Sequence, residues 1–159
     1  MLKPENIPDE LKTLPRWVCY RLPDKTPLNP RTGGNAGSTL PGTWADYETA
    51  AEAVTRLGCT GIGFVLGGGI VGIDVDHCID STTGELNEVA AAVLATTKSY
   101  AELSPSGTGL HILCRGNKPG TACKNTAAGF EMYAGGRYFT VTGNVPGEAR
   151  PFCEDQAAL

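Results

Sequence analysis

Long apolar runs are missing from this sequence. No stretch of about 18 apolar residues occurs, which excludes an ordinary membrane-spanning helix, so no membrane contact is expected. The opening Met1-Leu2-Lys3-Pro4-Glu5-Asn6 has no apolar core of a secretory leader, and a cytoplasmic protein is expected. Basic charge is scarce too. Thirteen Lys and Arg stand against 17 Asp and Glu, a formal net charge of −4. The chain is no polycation, so contact with nucleic acid has to come from a local basic groove and is expected to be weak and salt-sensitive. No Cys-x-x-Cys pair exists among the six cysteines at 19, 59, 78, 114, 123 and 153. His77, Cys78, Cys114 and Cys123 fit no standard zinc spacing. In a reducing compartment such cysteines serve mostly as small buried hydrophobes. No internal repeat or low-complexity tract is visible.

What is present is ordinary for a globular fold: 159 residues, 41% hydrophobic and 19% charged. That length supports a single domain over 1–159. The last segment, Cys153-Glu154-Asp155-Gln156-Ala157-Ala158-Leu159, stops abruptly and reads as the start of a further helix. The chain is therefore expected to be the N-terminal part of a longer protein.

Periodicity and turn residues divide the chain. Residues 8–14 can form a short helix ended by Pro15, and 16–21 alternate as a strand. The proline- and glycine-bearing stretch 22–42 reads as loop; its Lys25 and Arg31 could face a phosphate backbone or simply be solvated. Thr43 or Asp46 can cap a helix running to about Leu57, which Gly58 ends. Gly61-Ile62-Gly63-Phe64-Val65-Leu66, then Gly67-Gly68-Gly69, then 70–75 read as a hairpin. A second helix is expected over 85–96, with Leu86, Val89, Ala90, Val93 and Leu94 as its apolar stripe. Four strands are expected at 98–103, 109–115, 129–133 and 137–142, with a polar loop at 116–128. This order predicts an α+β fold with a largely antiparallel sheet and helices packed mainly on one face.

Five features carry chemistry. Asp74 and Asp76 end the second strand of the expected hairpin. Side chains alternate along a strand, so the two carboxylates share a face opposite Ile73 and Val75. They can share a hard divalent cation and repel each other without one. Ser104-Pro105-Ser106-Gly107-Thr108-Gly109 is a small-residue loop whose amides and hydroxyls can cradle an anion, or merely make a turn. His111 follows two residues later, as a structural strand histidine or a donor to the same anion. Glu131 lies between Phe130 and Met132 and faces away from both, as an exposed acid or a third carboxylate of a metal site. Arg137, six residues on, suits bidentate phosphate contacts or a surface ion pair. Together they form the set that nucleotidyl transfer needs. Carboxylates hold two cations about 3.5–4 Å apart, and His and Arg offset triphosphate charge.

In sequence order, 61–66, Asp74-Val75-Asp76-His77-Cys78, Tyr100-Ala101-Glu102-Leu103 running on through the serine loop to His111, and Glu131-Met132-Tyr133 through 137–143 resemble the primase-polymerase domain of phages and plasmids. That bifunctional DNA primase/polymerase N-terminal domain belongs to the archaeo-eukaryotic primase superfamily. Trp17, Lys25-Thr26-Pro27 and Thr43-Trp44 resemble its N-terminal region. The resemblance implies an RRM-like catalytic sheet packed with a small N-terminal α/β unit. It implies that Asp74 and Asp76 bind metal ions, with Glu131 completing the site. Ser106 and His111 would contact the phosphates of the incoming nucleotide, with Ser104 and Gly107 in the same loop, and Arg137 would lie near the triphosphate. It further implies Mg2+ or Mn2+ as cofactor, (d)NTPs as substrates, a single-stranded DNA template and primer as partners, and a C-terminal helicase domain in the full-length protein.

Two other functions share parts of this pattern. Asp-x-Asp also serves metal-dependent transferases that use nucleotide-sugars, and acidic clusters serve nucleases, but neither needs the serine loop and histidine in this position. A non-catalytic module could instead bind single strands by stacking bases on Tyr133, Tyr138 and Phe139. Such a module has no use for three acids that repel phosphate.

Overall fold

Asp46 and Asn87 decide where the two longer helices begin. In the structure, a computed structural model describing residues 2–127 and 129–159, the Asp46 carboxylate accepts the Thr49 amide at 2.8 Å. This starts helix α2 (Tyr47–Arg56), after the short α1 (Asp9–Lys12). Such a cap satisfies an amide that the first helical turn leaves without a partner. The Asn87 side chain accepts the Ala90 amide at 2.9 Å and starts α3 (Glu88–Thr96). The helix expected from 85 therefore begins later, and Leu86 forms an isolated bridge with Ile79 instead.

The strands are β1 (Trp17–Arg21), β2 (Thr26–Leu28), β3 (Gly61–Val65), β4 (Ile70–Val75), β5 (Tyr100–Leu103), β6 (Leu110–Arg115), β7 (Lys124–Asn125), β8 (Phe130–Tyr133) and β9 (Tyr138–Val141). They form two antiparallel sheets, ordered β2-β1-β3-β9 and β5-β6-β4-β8-β7. The α+β class and the antiparallel pairing are as expected; the first sheet joins strands from the first 65 residues to β9, from near the other end of the chain. Two stretches expected as loops contribute strands. Within 22–42, β2 pairs with β1; within 116–128, β7 pairs with β8. Ala128, at the end of that second stretch, lies outside the described residues.

The expected hairpin over 61–76 is not formed. β3 lies between β1 and β9, and β4 lies between β6 and β8. Both edges of each strand are filled by other partners, so the two cannot pair with each other. Gly67, Gly68 and Gly69, with φ of +127°, +66° and +81°, instead carry the chain from one sheet to the other. These backbone angles are costly for any residue with a Cβ.

The larger core lies between α2 and the first sheet and extends to the second. Trp17 is fully buried there and meets Tyr47 and Phe64 edge-on at 5.1 and 5.2 Å. A second core packs α3 against the opposite face of the second sheet through Ile73, Val75, Ala90 and Ile112. The helices are thus divided between the two sheets rather than gathered on one face. The second sheet has one face toward α3 and one toward β9. Gly72 allows the close approach of β9: a Cβ there would stand 2.6 Å from the Phe139 ring. No helix among the described residues is long and apolar enough to cross a membrane.

Candidate active site

The register of the second sheet sets five ionisable side chains in one line. Glu102 on β5 is directly opposite His111 on β6, and His111 is opposite Asp74 on β4. Asp74 is opposite Glu131 on β8, and Glu131 is opposite Lys124 on β7. Residues directly opposite in an antiparallel ladder share a face. Their neighbours Ile73, Val75 and Ile112 lie in the core under α3, so the charged row looks the other way, toward β9. Here the expected alternation holds: Glu131 faces away from Phe130 and Met132, which pack against that same core.

Signs along the row run acid, histidine, acid, acid, lysine. Glu102 Oε1 is 3.8 Å from His111 Nδ1, and Asp74 Oδ1 is 3.6 Å from His111 Nε2. Both are charge contacts, too long for hydrogen bonds. The hydrogen-bond partner of Nδ1 is the Thr140 carbonyl at 3.2 Å. At the far end Lys124 Nζ meets Glu131 Oε1 at 2.6 Å, and the Tyr133 hydroxyl donates to Glu131 Oε2. Burial works against charge on His111, but the Glu102 and Asp74 carboxylates and the Thr140 carbonyl outweigh it, and its pKa stands above that of a free imidazole. Burial raises the Asp74 pKa; His111 opposes the rise, while Asp76 and Glu131 add to it. Lys124 and then Tyr133 hold Glu131 below the usual carboxylate range.

The like-charged neighbours Asp74 and Glu131 would destabilise a sheet unless something compensates. Asp76 comes to the same place. It is exposed in the turn just past β4, where His77 adopts φ +48°. Asp74, Asp76, Glu131 and Lys124 line a hollow of about 190 Å³. Asp74 Oδ1 is buried and accepts no hydrogen bond, a costly state for a carboxylate oxygen. Among the described residues no three His, Cys, Asp or Glu side chains already converge as a closed metal cage. An open set of carboxylate oxygens with one unsatisfied oxygen nonetheless suits a hard divalent cation. Magnesium in particular takes few protein ligands and leaves the rest of its shell to water and substrate.

A second cavity, about 300 Å³, opens over the middle of the row. Asp74, His111, Glu131, Lys25 and Arg137 line it. Arg137 is exposed, with its guanidinium 4.7 Å from the Tyr133 ring centre. Lys25 sits in the β1–β2 turn at φ +54°, and its carbonyl accepts from the Tyr138 hydroxyl. Among the described residues neither cation has a carboxylate within 4 Å.

The structure therefore brings Asp74, Asp76, His111, Glu131 and Arg137 together. Ser104, Ser106 and Gly107 stand apart, beside a hollow of about 380 Å³ that they share with Lys3, Thr142 and Asn144. Several donors of the loop are committed within it. The Gly107 amide donates to the Ser104 carbonyl at 2.8 Å, the Gly109 amide to Ser104 Oγ at 3.0 Å, and Ser106 Oγ lies 2.9 Å from Thr108 Oγ1. The loop also braces the turn after the aspartates, because the Cys78 and Ile79 amides donate to the Thr108 carbonyl. Phe139 and Tyr133 are buried, with the Phe139 ring centre 5.0 Å from that of His111. They are packing residues rather than an open stacking platform.

Two members of the site escape a reading of local sequence, and a third, Lys25, is legible only as a loop cation that could face phosphate or water. Lys124 lies in a strand of two residues, too short to show alternation. Glu102 did leave a signal: its strand and that of His111 flank one tight loop, and hairpin register sets residues equidistant from the loop opposite each other.

No protein-family model matches the chain. The chain is similar to the DNA primase-polymerase of Nitratiruptor phage NrS-1, at 38% identity over 138 residues. The match covers 82% of this chain and 19% of that protein, so the chain spans less than two thirds of the relative's length. The expected resemblance to phage primase-polymerases is borne out by this match.

Proposed function

We propose that this chain transfers nucleotides from (d)NTPs to the 3′-hydroxyl of a DNA primer on a single-stranded template. The observation that carries this is the convergence of Asp74, His111, Glu131 and Arg137 on one cavity, with Asp76 adjoining it. Asp74, Asp76 and Glu131 would hold Mg2+ or Mn2+. Bound there, the cations would make the 3′-hydroxyl a better nucleophile and offset charge on the departing pyrophosphate.

The protein's own groups do the remaining work. Arg137 and Lys25, each without a carboxylate neighbour among the described residues, bind the triphosphate as it enters. His111 presents Nε2 to the cavity and, when protonated, donates to a phosphate oxygen as negative charge builds there. Tyr133 holds the Glu131 carboxylate in place, and Lys124 occupies its other oxygen until a cation displaces it. The 3′-hydroxyl gives its proton to solvent as its oxygen bonds to the α-phosphorus, the bond to the bridging oxygen breaks in line, and pyrophosphate leaves. The similarity to a protein named as a DNA primase-polymerase supports the same chemistry.

A labelled primer on a longer template, supplied with deoxynucleotides and Mg2+ or Mn2+, tests this in the full-length protein. Extension is expected, and its loss in Asp74→Ala and Asp76→Ala. Arg137→Ala should raise the nucleotide KM about tenfold with a smaller change in kcat, as loss of a charge-assisted hydrogen bond requires. No incorporation across several templates with both metals would sink the proposal, as would undiminished extension by the aspartate variants.

A further inference from the structure

Glu102 is the one member of the charged row that touches neither cavity, yet it is the most deeply buried, at 1% exposure. Taking a carboxylate out of water costs several kcal/mol unless donors surround it. Here they do. Tyr100 Oη donates to Oε2 at 2.7 Å, and the Gly143 amide does so at 2.9 Å. The Thr142 amide reaches both oxygens, at 3.1 and 3.0 Å. The side chain so held has its Oε1 beside His111 Nδ1 at 3.8 Å.

We propose that Glu102 is the positioning residue of His111: it ties β5, the strand paired with the histidine strand, to the backbone of 142–143 and fixes which ring nitrogen faces the cavity. The groups around Nδ1 decide the tautomer. The Thr140 carbonyl at 3.2 Å can only accept, and the Glu102 carboxylate, which takes donors on both oxygens, is an acceptor too. Nδ1 therefore carries a proton, and Nε2 is turned toward Asp74 Oδ1 and the cavity. The Phe139 ring, 5.0 Å away centre to centre, limits rotation of the imidazole. Glu102 and Thr140 thus reach the ring from two different sheets, β5 in one and β9 in the other. The distance between the sheets is set at the same residues that orient the histidine. Glutamine keeps the length of the side chain but presents an NH2 where an acceptor is needed. It cannot serve the Tyr100, Thr142 and Gly143 donors and the histidine at once.

The consequence for activity rests on the nucleotidyl-transfer proposal; the orientation of the ring does not. Two measurements separate them. The first is the nitrogen NMR spectrum of His111 in the full-length protein. A fixed Nδ1–H is expected, not the tautomer mixture of a free imidazole, and Glu102→Gln, which sets an NH2 against that Nδ1–H, should shift the population toward Nε2–H; an unchanged spectrum in the variant would mean that the Thr140 carbonyl alone sets the tautomer, and would overturn the proposal. A tautomer mixture in the native protein would overturn the proposal even if the variant failed to fold. The second is a double-mutant cycle on incorporation. Glu102→Gln should lower kcat about tenfold in the native background, the scale seen when residues that orient a functional histidine are lost. It should have no further effect in His111→Ala. Equal fractional losses in both backgrounds would mean that Glu102 acts on the fold alone, and would overturn the proposal. A native Nδ1–H that Glu102→Gln displaces, together with no incorporation, would leave the positioning role standing while the polymerase proposal fell.

Discussion

The two ends of the charged row occupy equivalent places in the sheet and differ in almost everything else. Glu102 lies at 1% exposure with hydrogen bonds from Tyr100, Thr142 and Gly143. Lys124, at the opposite end, has 62% of its side chain exposed and one ion pair, to Glu131 at 2.6 Å. The shorter contact is the weaker one in free-energy terms. An exposed pair competes with water and salt, whereas a buried carboxylate has no alternative partner once its donors are gone. The buried end fixes geometry. The exposed end supplies charge that a ligand can displace, which suits a hollow that must admit a cation and a triphosphate.

Two substitutions test that contrast, and a third, away from the row, gives a reference. Glu102→Ala should be the most damaging to stability, by about 3–5 kcal/mol, because it removes one partner from a buried charge network. Chemical denaturation measures this, and a loss under about 1 kcal/mol would erase the distinction between the two ends. Asp46→Ala, remote from the row, should cost about 1 kcal/mol through the lost α2 cap and leave incorporation unchanged. Its pH dependence has a definite sign. The Thr49 amide, then its hydroxyl, lowers the folded Asp46 pKa. The capping contribution is therefore complete above the unfolded value of about 3.9 and is lost as pH falls through the folded one. The variant should lose less stability than the native protein over that acid range, which paired thermal melts would detect. Lys124→Ala should have the smallest effect on stability, too small for chemical denaturation to resolve. It should also tighten Mn2+ binding, by freeing Glu131, in a direct metal titration. Weaker binding would show that the lysine supports the metal site instead of competing for it.

Much of this site is legible from local sequence, for a physical reason. Alternation along a strand is a two-residue rule, so it correctly sets Asp74 apart from Ile73 and Val75, and Glu131 apart from Phe130 and Met132. Partner choice is not local. Two apolar runs around Gly67-Gly68-Gly69 have the signature of a hairpin. What prevents one is competition from β1, β9, β6 and β8, some of it from more than 60 residues away. The serine loop shows a similar limit. The residue types that build an anion cradle also build a turn with bonds of its own, and sequence does not reveal the Gly107 and Gly109 amide bonds to Ser104 or that the loop stands apart from the cavity over the charged row. Burial of Glu102 was equally out of reach, since its donors at 142 and 143 come from the chain beyond β9.

Nucleotide transfer directed by a template is the central claim, and incorporation of a single nucleotide tests it most directly. Four primed templates differing only at the first unpaired base would each be given all four deoxynucleotides, one at a time, with the full-length protein and Mn2+. Incorporation that follows the templating base in every case, and that falls by about 10²–10³ in Asp74→Asn, is the expected result. Addition that ignores the template, or that persists in Asp74→Asn, would contradict it.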